Sequence, residues 1–330
     1  MEDSQSHETI KEKSNDKPTI KHLSISGGAS WGITAFGSLY KAIDCGFIDL
    51  KTIESIYAIS IGSILAAFFL LKIEPDIIMN YIIKRPWENV WKFSLDTIIN
   101  SYKTKGIFDK KIIVDFFSPL LKSVDLSIDI TLQQFYEYTG VELHIYSTEI
   151  NQFELVDISF KTHSEWLLLD AIYVSCSIPN IFSPLFIDEK CYLDGAVLLN
   201  DPSSKCIDNV INNGGAIDEI FSISMDIKKD DGNSIDNTWN IFPETNILEF
   251  NQVLIRKLLY KIQQNIIKDT RMENTDLVYE LKTVCNTNTM DDIIQIMNSS
   301  DIRKQLIEEG IEQMSIFLSK KELDTVHQLG

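Results

Sequence analysis

The sequence predicts an α/β protein: a three-layer α/β/α sandwich around a mostly parallel central sheet, with further helices toward the C-terminal end. Three observations carry this. Short apolar, β-branched runs alternate with segments whose apolar residues recur every three or four positions. One such run, 53–59, passes into an apolar helical segment with no loop between them. The last third of the chain is dominated by helical periodicity. The chain divides into a polar tail (1–18), a compact α/β domain (19–226) and a mostly helical region (227–330) packed on it.

Composition sets the class. The 330 residues are 44% hydrophobic and 24% charged, as in ordinary globular proteins, and suffice for one sizeable core. A net charge of −18 argues against nucleic acid as a partner. Five cysteines (Cys45, Cys176, Cys191, Cys206, Cys285) lack CxxC spacing, and no Cys/His cluster has zinc-site spacing, so no metal is expected. Residues 1–18 lack the apolar core of a signal peptide, and the dispersed cysteines suit a reducing compartment, so a cytoplasmic location is expected.

In chain order, 1–18 is too polar to pack and is expected to be disordered. Residues 20–25 form a strand that ends in the loop Ser26-Gly27-Gly28-Ala29-Ser30-Trp31-Gly32. A helix over 33–43 follows, with Phe36, Leu39, Tyr40 and Ile43 on one face. Residues 53–59 make a buried strand, and the next helix runs to Leu71. The 17 uncharged residues 55–71 are too short and too interrupted by Ser60, Gly62 and Ser63 to span a bilayer, which takes ~20 apolar residues. Strands over 141–147 and 153–158 flank a turn, and a helix over 166–175 is stopped by Pro179. Strands over 185–187 and 191–193 lead to Asp194-Gly195-Ala196. Asp201 caps a helix whose first residue is Pro202. A strand at 220–225 and a polar loop at 226–237 without calcium-loop spacing come next. A long helix from Ile247, a strand over 276–284 and a helix over 302–318 complete the chain.

One stretch departs from the average charge. Residues 84–111 hold seven cations (Lys84, Arg85, Lys92, Lys103, Lys105, Lys110, Lys111) against three anions, interleaved with Trp87, Trp91, Phe93 and Tyr102. Basic residues with interfacial aromatics suit peripheral membrane contact, although a solvated helix over core aromatics is the commoner arrangement.

Two local patterns carry chemistry. Ser60, with Ala58 and Gly62 two positions to either side, has the form of a nucleophile elbow, in which a strand turns so sharply into a helix that only small neighbours fit. The loop at Gly27 and Gly28 precedes a helix N-terminus and could aim backbone N–H groups at a negative charge. It does not read as a nucleotide site, because Ile33 stands where a phosphate-binding loop needs lysine. His22 and His144 lie in strands, His163 in a turn, and His7 and His327 near the ends, so no histidine base is indicated.

Together SGGASWG, AISIG and DGA, in that order, resemble the glycine-rich loop, serine elbow and D-G-[GA] motif of the patatin-like phospholipases. The similarity runs from about residue 20 to 224 and includes 170–184 and Asn200-Asp201-Pro202. It implies a lipid acyl hydrolase without cofactor, with Ser60 as nucleophile and Asp194 as its proton acceptor. It further implies an oxyanion hole at Gly27, Gly28 and Ala29, with Gly32, Ala58, Gly62, Gly195 and Ala196 as supporting positions. An acyltransferase, or an inactive lipid- or protein-binding relative, would carry the same motifs. Three positions differ from the family pattern: Trp31 replaces a cation, Ala29 the third loop glycine and Ala58 the first elbow glycine.

Overall fold

A computed structural model describes residues 19–91, 95–226, 241–245, 247–270, 277–284 and 290–328. The expected tail (1–18) and most of the expected polar loop lie outside them.

The strands are β1 (His22–Ile25), β2 (Ser55–Ile59), β3 (Gly106–Phe108), β4 (Glu142–Glu149), β5 (Glu154–Ile158), β6 (Asn180–Phe182), β7 (Leu185–Ile187), β8 (Lys190–Asp194), β9 (Ile220–Asp226) and β10 (Tyr279–Val284). The helices are α1 (Gly32–Asp44), α2 (Ile61–Leu70), α3 (Pro75–Lys84), α4 (Leu95–Thr104), α5 (Lys111–Ser123), α6 (Leu132–Thr139), α7 (Leu168–Ser175), α8 (Ser203–Asn212), α9 (Ile247–Thr270), α10 (Met290–Asn298) and α11 (Ser300–Gln328).

Among the described residues eight strands form the main sheet. Five of them, β10-β9-β1-β2-β4, are parallel, while β5, β8 and β7 join antiparallel. All five residues of β2 are buried, as expected of a central strand covered on both faces. Its side chains alternate between the layers. Ile56 and Ala58 enter the larger core with α1 and α2 residues, while Tyr57 and Ile59 join Cys206 and Val210 of α8 on the opposite face. The sandwich therefore has the three predicted layers.

The C-terminal region is built into this architecture. β10 extends the sheet from β9, pairing Thr283 with Met225. α11 lies on α1 at very short range, because a Cβ on Gly37 would come within 2.1 Å of the Ile307 carbonyl oxygen, and the Ser38 Oγ donates to the Gly310 carbonyl at 2.9 Å. Arg303 fastens the same helix to the end of α3, its guanidinium donating to the Ile83 carbonyl at 2.6 Å.

Several elements differ from expectation. The stretch between α3 and β4, to which no element is assigned above, holds α4, α5, α6 and the strand β3, which pairs with β6 in a separate two-stranded sheet. α6 carries a signal that went unread: Thr131 and Gln134 form a reciprocal capping box, and Gly140 closes the helix at φ 75°. α8 starts at Ser203 rather than Pro202, with Asp201 Oδ1 still capping it by accepting the Ser203 N–H at 2.9 Å. In 84–111, Trp87 is buried and stacks on Phe116, and the half-buried Trp91 packs on Phe108 and Phe182. These two rings belong to the core, whereas Tyr102 is 92% exposed.

Candidate active site

Residues 55–70 supply both the last strand residues and the first helical turn of the elbow, with Ser60 between them. Ser60 adopts φ 54° and ψ −127°, a conformation that costs a non-glycine residue ~1–3 kcal/mol and persists only where its surroundings hold it. Its backbone N–H donates to Ser175 Oγ at 2.8 Å, and that hydroxyl donates to the Tyr146 carbonyl of β4 at 2.7 Å. Its carbonyl accepts from the Ser63 N–H and, at 2.6 Å, from Ser63 Oγ. Gly62 admits the close passage of α2 over β1, since a Cβ there would lie 2.4 Å from the Ile25 carbonyl oxygen. Ala58 is fully buried in β2, where alanine fits.

The sheet register brings the second residue to the first. Ile145 and Tyr146 of β4 pair with β2 on one edge and β5 on the other; Ser147 to Glu149 pair with β5 and β8. Since β5 holds one edge throughout, β2 and β8 share the opposite edge. They run toward each other, so Ile59, opposite Tyr146, and Asp194, opposite Ser147, meet at their carboxyl ends.

Ser60 Oγ donates to Asp194 Oδ2 at 2.7 Å, and Asp194 Oδ1 accepts the Ala196 N–H at 2.8 Å. The aspartate thus caps the one-turn segment Gly195–Val197, which can lie on β4 because a Cβ on Gly195 would come within 2.4 Å of the Tyr146 carbonyl oxygen. Ser60 is 4% and Asp194 2% exposed. Burial pushes the Asp194 carboxyl up to about 7, against the lowering effect of its hydrogen bonds from Ser60 and Ala196. Cys176 lies beside the pair, with its thiol 3.8 Å from Ser63 Oγ, and burial drives its acidity far down. His22, His144 and His163 bond instead to Ser55, Asp157 and Thr162.

The glycine-rich loop approaches from the other side. Of the three expected donors, Gly27 is already occupied: its N–H donates to the Asn200 carbonyl at 2.9 Å. Its importance is spatial, since a Cβ there would lie 2.6 Å from Asn200 Oδ1 and 3.3 Å from Ser60 Cβ. The N–H groups of Gly28 and Ala29 have no protein acceptor among the described residues. Ala29 sits at φ 48°, a left-handed conformation that explains why glycine would be easier here. Gly32 lets α1 begin against Ile61, whose Cγ1 would lie 2.0 Å from an added Cβ.

Trp31, the residue replacing a family cation, is fully buried under this loop. A Cβ on Gly28 would lie 2.7 Å from its ring, and its indole N–H donates to Thr283 Oγ1 of β10 at 2.5 Å. Ser175 and Thr283 are not marked by any local pattern, because each reaches the site from a distant segment, and Asn200 enters the sequence reading only as part of Asn200-Asp201-Pro202, without a contact to the loop.

A groove of about 550 Å³ lined by Thr19, Lys21, Glu54 and Glu142 opens at the amino ends of β1, β2 and β4, the end of the sheet away from Ser60. Among the described residues no three His, Cys, Asp or Glu side chains converge as a metal site, and no helix is long and apolar enough to cross a membrane.

The chain is similar to a protein of Invertebrate iridescent virus 6 named "Probable lipid hydrolase 463L". The two are 26% identical over 184 residues, 55% of this chain and 61% of that one, so the chain spans about three fifths of this relative. Among solved structures, VipD from Legionella pneumophila aligns with a TM-score of 0.48 at 15% identity, over 92% of this chain and 67% of VipD. The type III effector ExoU aligns at 0.45 and 11%, over 93% of this chain and 54% of that one. The sequence model of the patatin-like phospholipases matches residues 23–204, more than half of the chain and the whole stretch that bears the loop, the elbow and the aspartate turn, and the chain belongs to that family.

Proposed function

We propose that this protein is a serine lipid acyl hydrolase of the phospholipase A type, working through a Ser60–Asp194 dyad and an acyl-enzyme. The observation that carries the reading is the 2.7 Å bond from Ser60 Oγ to a buried carboxylate, made at a strained strand-to-helix turn. Asp194 Oδ2 takes the proton as Ser60 Oγ attacks the ester carbonyl, and returns it to the departing alcohol oxygen. Water then attacks the acyl-serine, giving its proton to Asp194, which passes it to Ser60 Oγ as the acyl bond breaks and the fatty acid leaves. The oxyanion accepts hydrogen bonds from the Gly28 and Ala29 N–H groups, each worth ~3 kcal/mol in serine hydrolases. The Ile61 N–H, at the first helical position and without an intrahelical acceptor, completes the set.

A pKa near 7 suits the base, because an aspartate at its ordinary ~3.9 would draw the serine proton only weakly. Family membership and the viral relative's name support a lipid ester as substrate.

The test is labelling with a fluorophosphonate probe, comparing wild type with Ser60→Ala and Asp194→Asn. Labelling of wild type, abolished in Ser60→Ala and slowed at least roughly a hundredfold in Asp194→Asn, is expected. Folded wild type that takes no label would leave a non-catalytic lipid-binding protein as the reading, which the loss of a cation at Trp31 also favours.

A further inference from the structure

Ser60 and Asp194 are closed to solvent, and α9 lies beside the Gly195–Val197 turn that Asp194 caps. The outer face of α9 is apolar over 247–258. Ile247, Phe250, Leu254 and Leu258 follow at three- and four-residue steps, which stacks them along one side of the helix, and all four are exposed, Ile247 to 74% and Leu258 to 53%. Val253 turns inward and is buried. Lys257 and Lys261, also exposed, lie three residues beyond Leu254 and Leu258 and so border the stripe on the same side, whereas Glu249 lies on another side of the helix.

A row of apolar side chains edged by lysines, beside a closed catalytic turn, is unsuited to water. It is also a local exception in a chain of net charge −18. We propose that this face of α9 docks on an anionic lipid surface, with Ile247, Phe250, Leu254 and Leu258 entering the acyl boundary and Lys257 and Lys261 meeting headgroup phosphates. The chemistry selects a bilayer over a protein partner. Among the described residues the stripe is one helix wide with no facing groove, so a flat apolar medium covers it whole, and the lysine spacing places two cations at headgroup depth. The inference rests on the lipid hydrolase reading above and adds where the lipid is met. It assigns the contact to α9 in preference to 84–111, where Trp87 and Trp91 are part of the core.

The experiment is flotation of the full chain with vesicles of phosphatidylcholine, with and without phosphatidylglycerol. Wild type is expected to float with the anionic vesicles and less with the neutral ones. Leu254→Glu/Leu258→Glu should lower the bound fraction roughly tenfold or more, since two apolar side chains are withdrawn from the acyl phase and replaced by anions. Lys257→Glu/Lys261→Glu should abolish the preference for phosphatidylglycerol. Both variants change exposed positions away from the dyad and should keep wild-type circular dichroism and fluorophosphonate labelling. Equal flotation of wild type and variants would overturn the proposal, as would wild type that does not float. A wild-type dimer that Leu254→Glu/Leu258→Glu converts to monomer would assign the face to a second copy instead. Flotation without labelling would sink the hydrolase reading and leave the docking face standing; labelling without flotation would do the reverse.

Discussion

Asp194 links the chemistry to stability. Its carboxyl stands near 7 in the folded chain and near 3.9 when unfolded, so between those values the folded state binds the proton more tightly. Its contribution to folding is complete below about pH 4 and is lost as pH rises through 7. Under the proposed mechanism the same ionisation creates the base. Hydrolysis is therefore expected to rise with pH along a limb centred near 7, while stability falls by on the order of 4 kcal/mol between about pH 4 and the folded-state value near 7. Asp194→Asn should remove the limb together with the activity, and should make the protein more stable than wild type at pH 8 but not at pH 4. Rate profiles and urea titrations at the two pH values check both; a variant less stable than wild type at pH 8 would contradict the buried-carboxylate account. This pairing was legible in the sequence only through the ordered set of motifs. Asp194-Gly195 alone is an ordinary turn, and the 2.7 Å bond depends on strands whose pairing no local pattern states.

At the scale of elements, the elbow was the most readable feature. Strand, serine, small neighbours and helix are contiguous in 53–71, so local sterics decide the geometry. The groups that hold the elbow were not readable. Ser175 is 115 residues from Ser60, and nothing in the segment 170–184 shows that this hydroxyl, rather than Ser177, accepts the Ser60 N–H. Ser175→Ala leaves that N–H and the Tyr146 carbonyl without their shared partner in a buried site, at a cost of ~1–3 kcal/mol. Because the strain at Ser60 is then held less firmly, the labelling rate should fall by roughly tenfold or more, beyond what the stability loss explains. Ser175→Thr, which keeps the hydroxyl, should recover part of it. Labelling kinetics beside chemical denaturation separate the two effects, and a full loss of stability with an unchanged labelling rate would deny Ser175 its positioning role.

For the whole molecule, the three layers and the mostly parallel sheet followed from the alternation of strand and helix patterns. The antiparallel arrival of β8, which brings Asp194 to the edge shared with β2, did not. The C-terminal third was legible as helical, but its engagement with the site was not. The indole of Trp31 and the hydroxyl of Thr283 are 252 residues apart, and the pair ties the glycine-rich loop to β10. Thr283→Val, nearly isosteric, leaves the indole N–H buried without an acceptor. The expected result is a several-fold loss in kcat on a soluble ester with little change in KM, together with faster hydrogen exchange in peptides covering 26–33. Thr283→Ser should restore both, and unchanged exchange in Thr283→Val would remove the brace from the account.

The place of β1 in the sheet has a consequence in time. It pairs with β2 on one side and with β9 on the other, and β9 in turn is flanked by β10. While the chain is being synthesised, Ser60 and Asp194 leave the ribosome well before the strands that close the open edge of β1 and supply Thr283. Domains fold as units when their last parts arrive. A nascent chain of this sequence therefore holds both Ser60 and Asp194 before β9 and β10 can brace the loop at Gly28 and Ala29, and under the proposed mechanism the dyad is expected to turn over only once those strands have been made. The order of residues along the chain thus places the brace last, as a delay on the proposed activity.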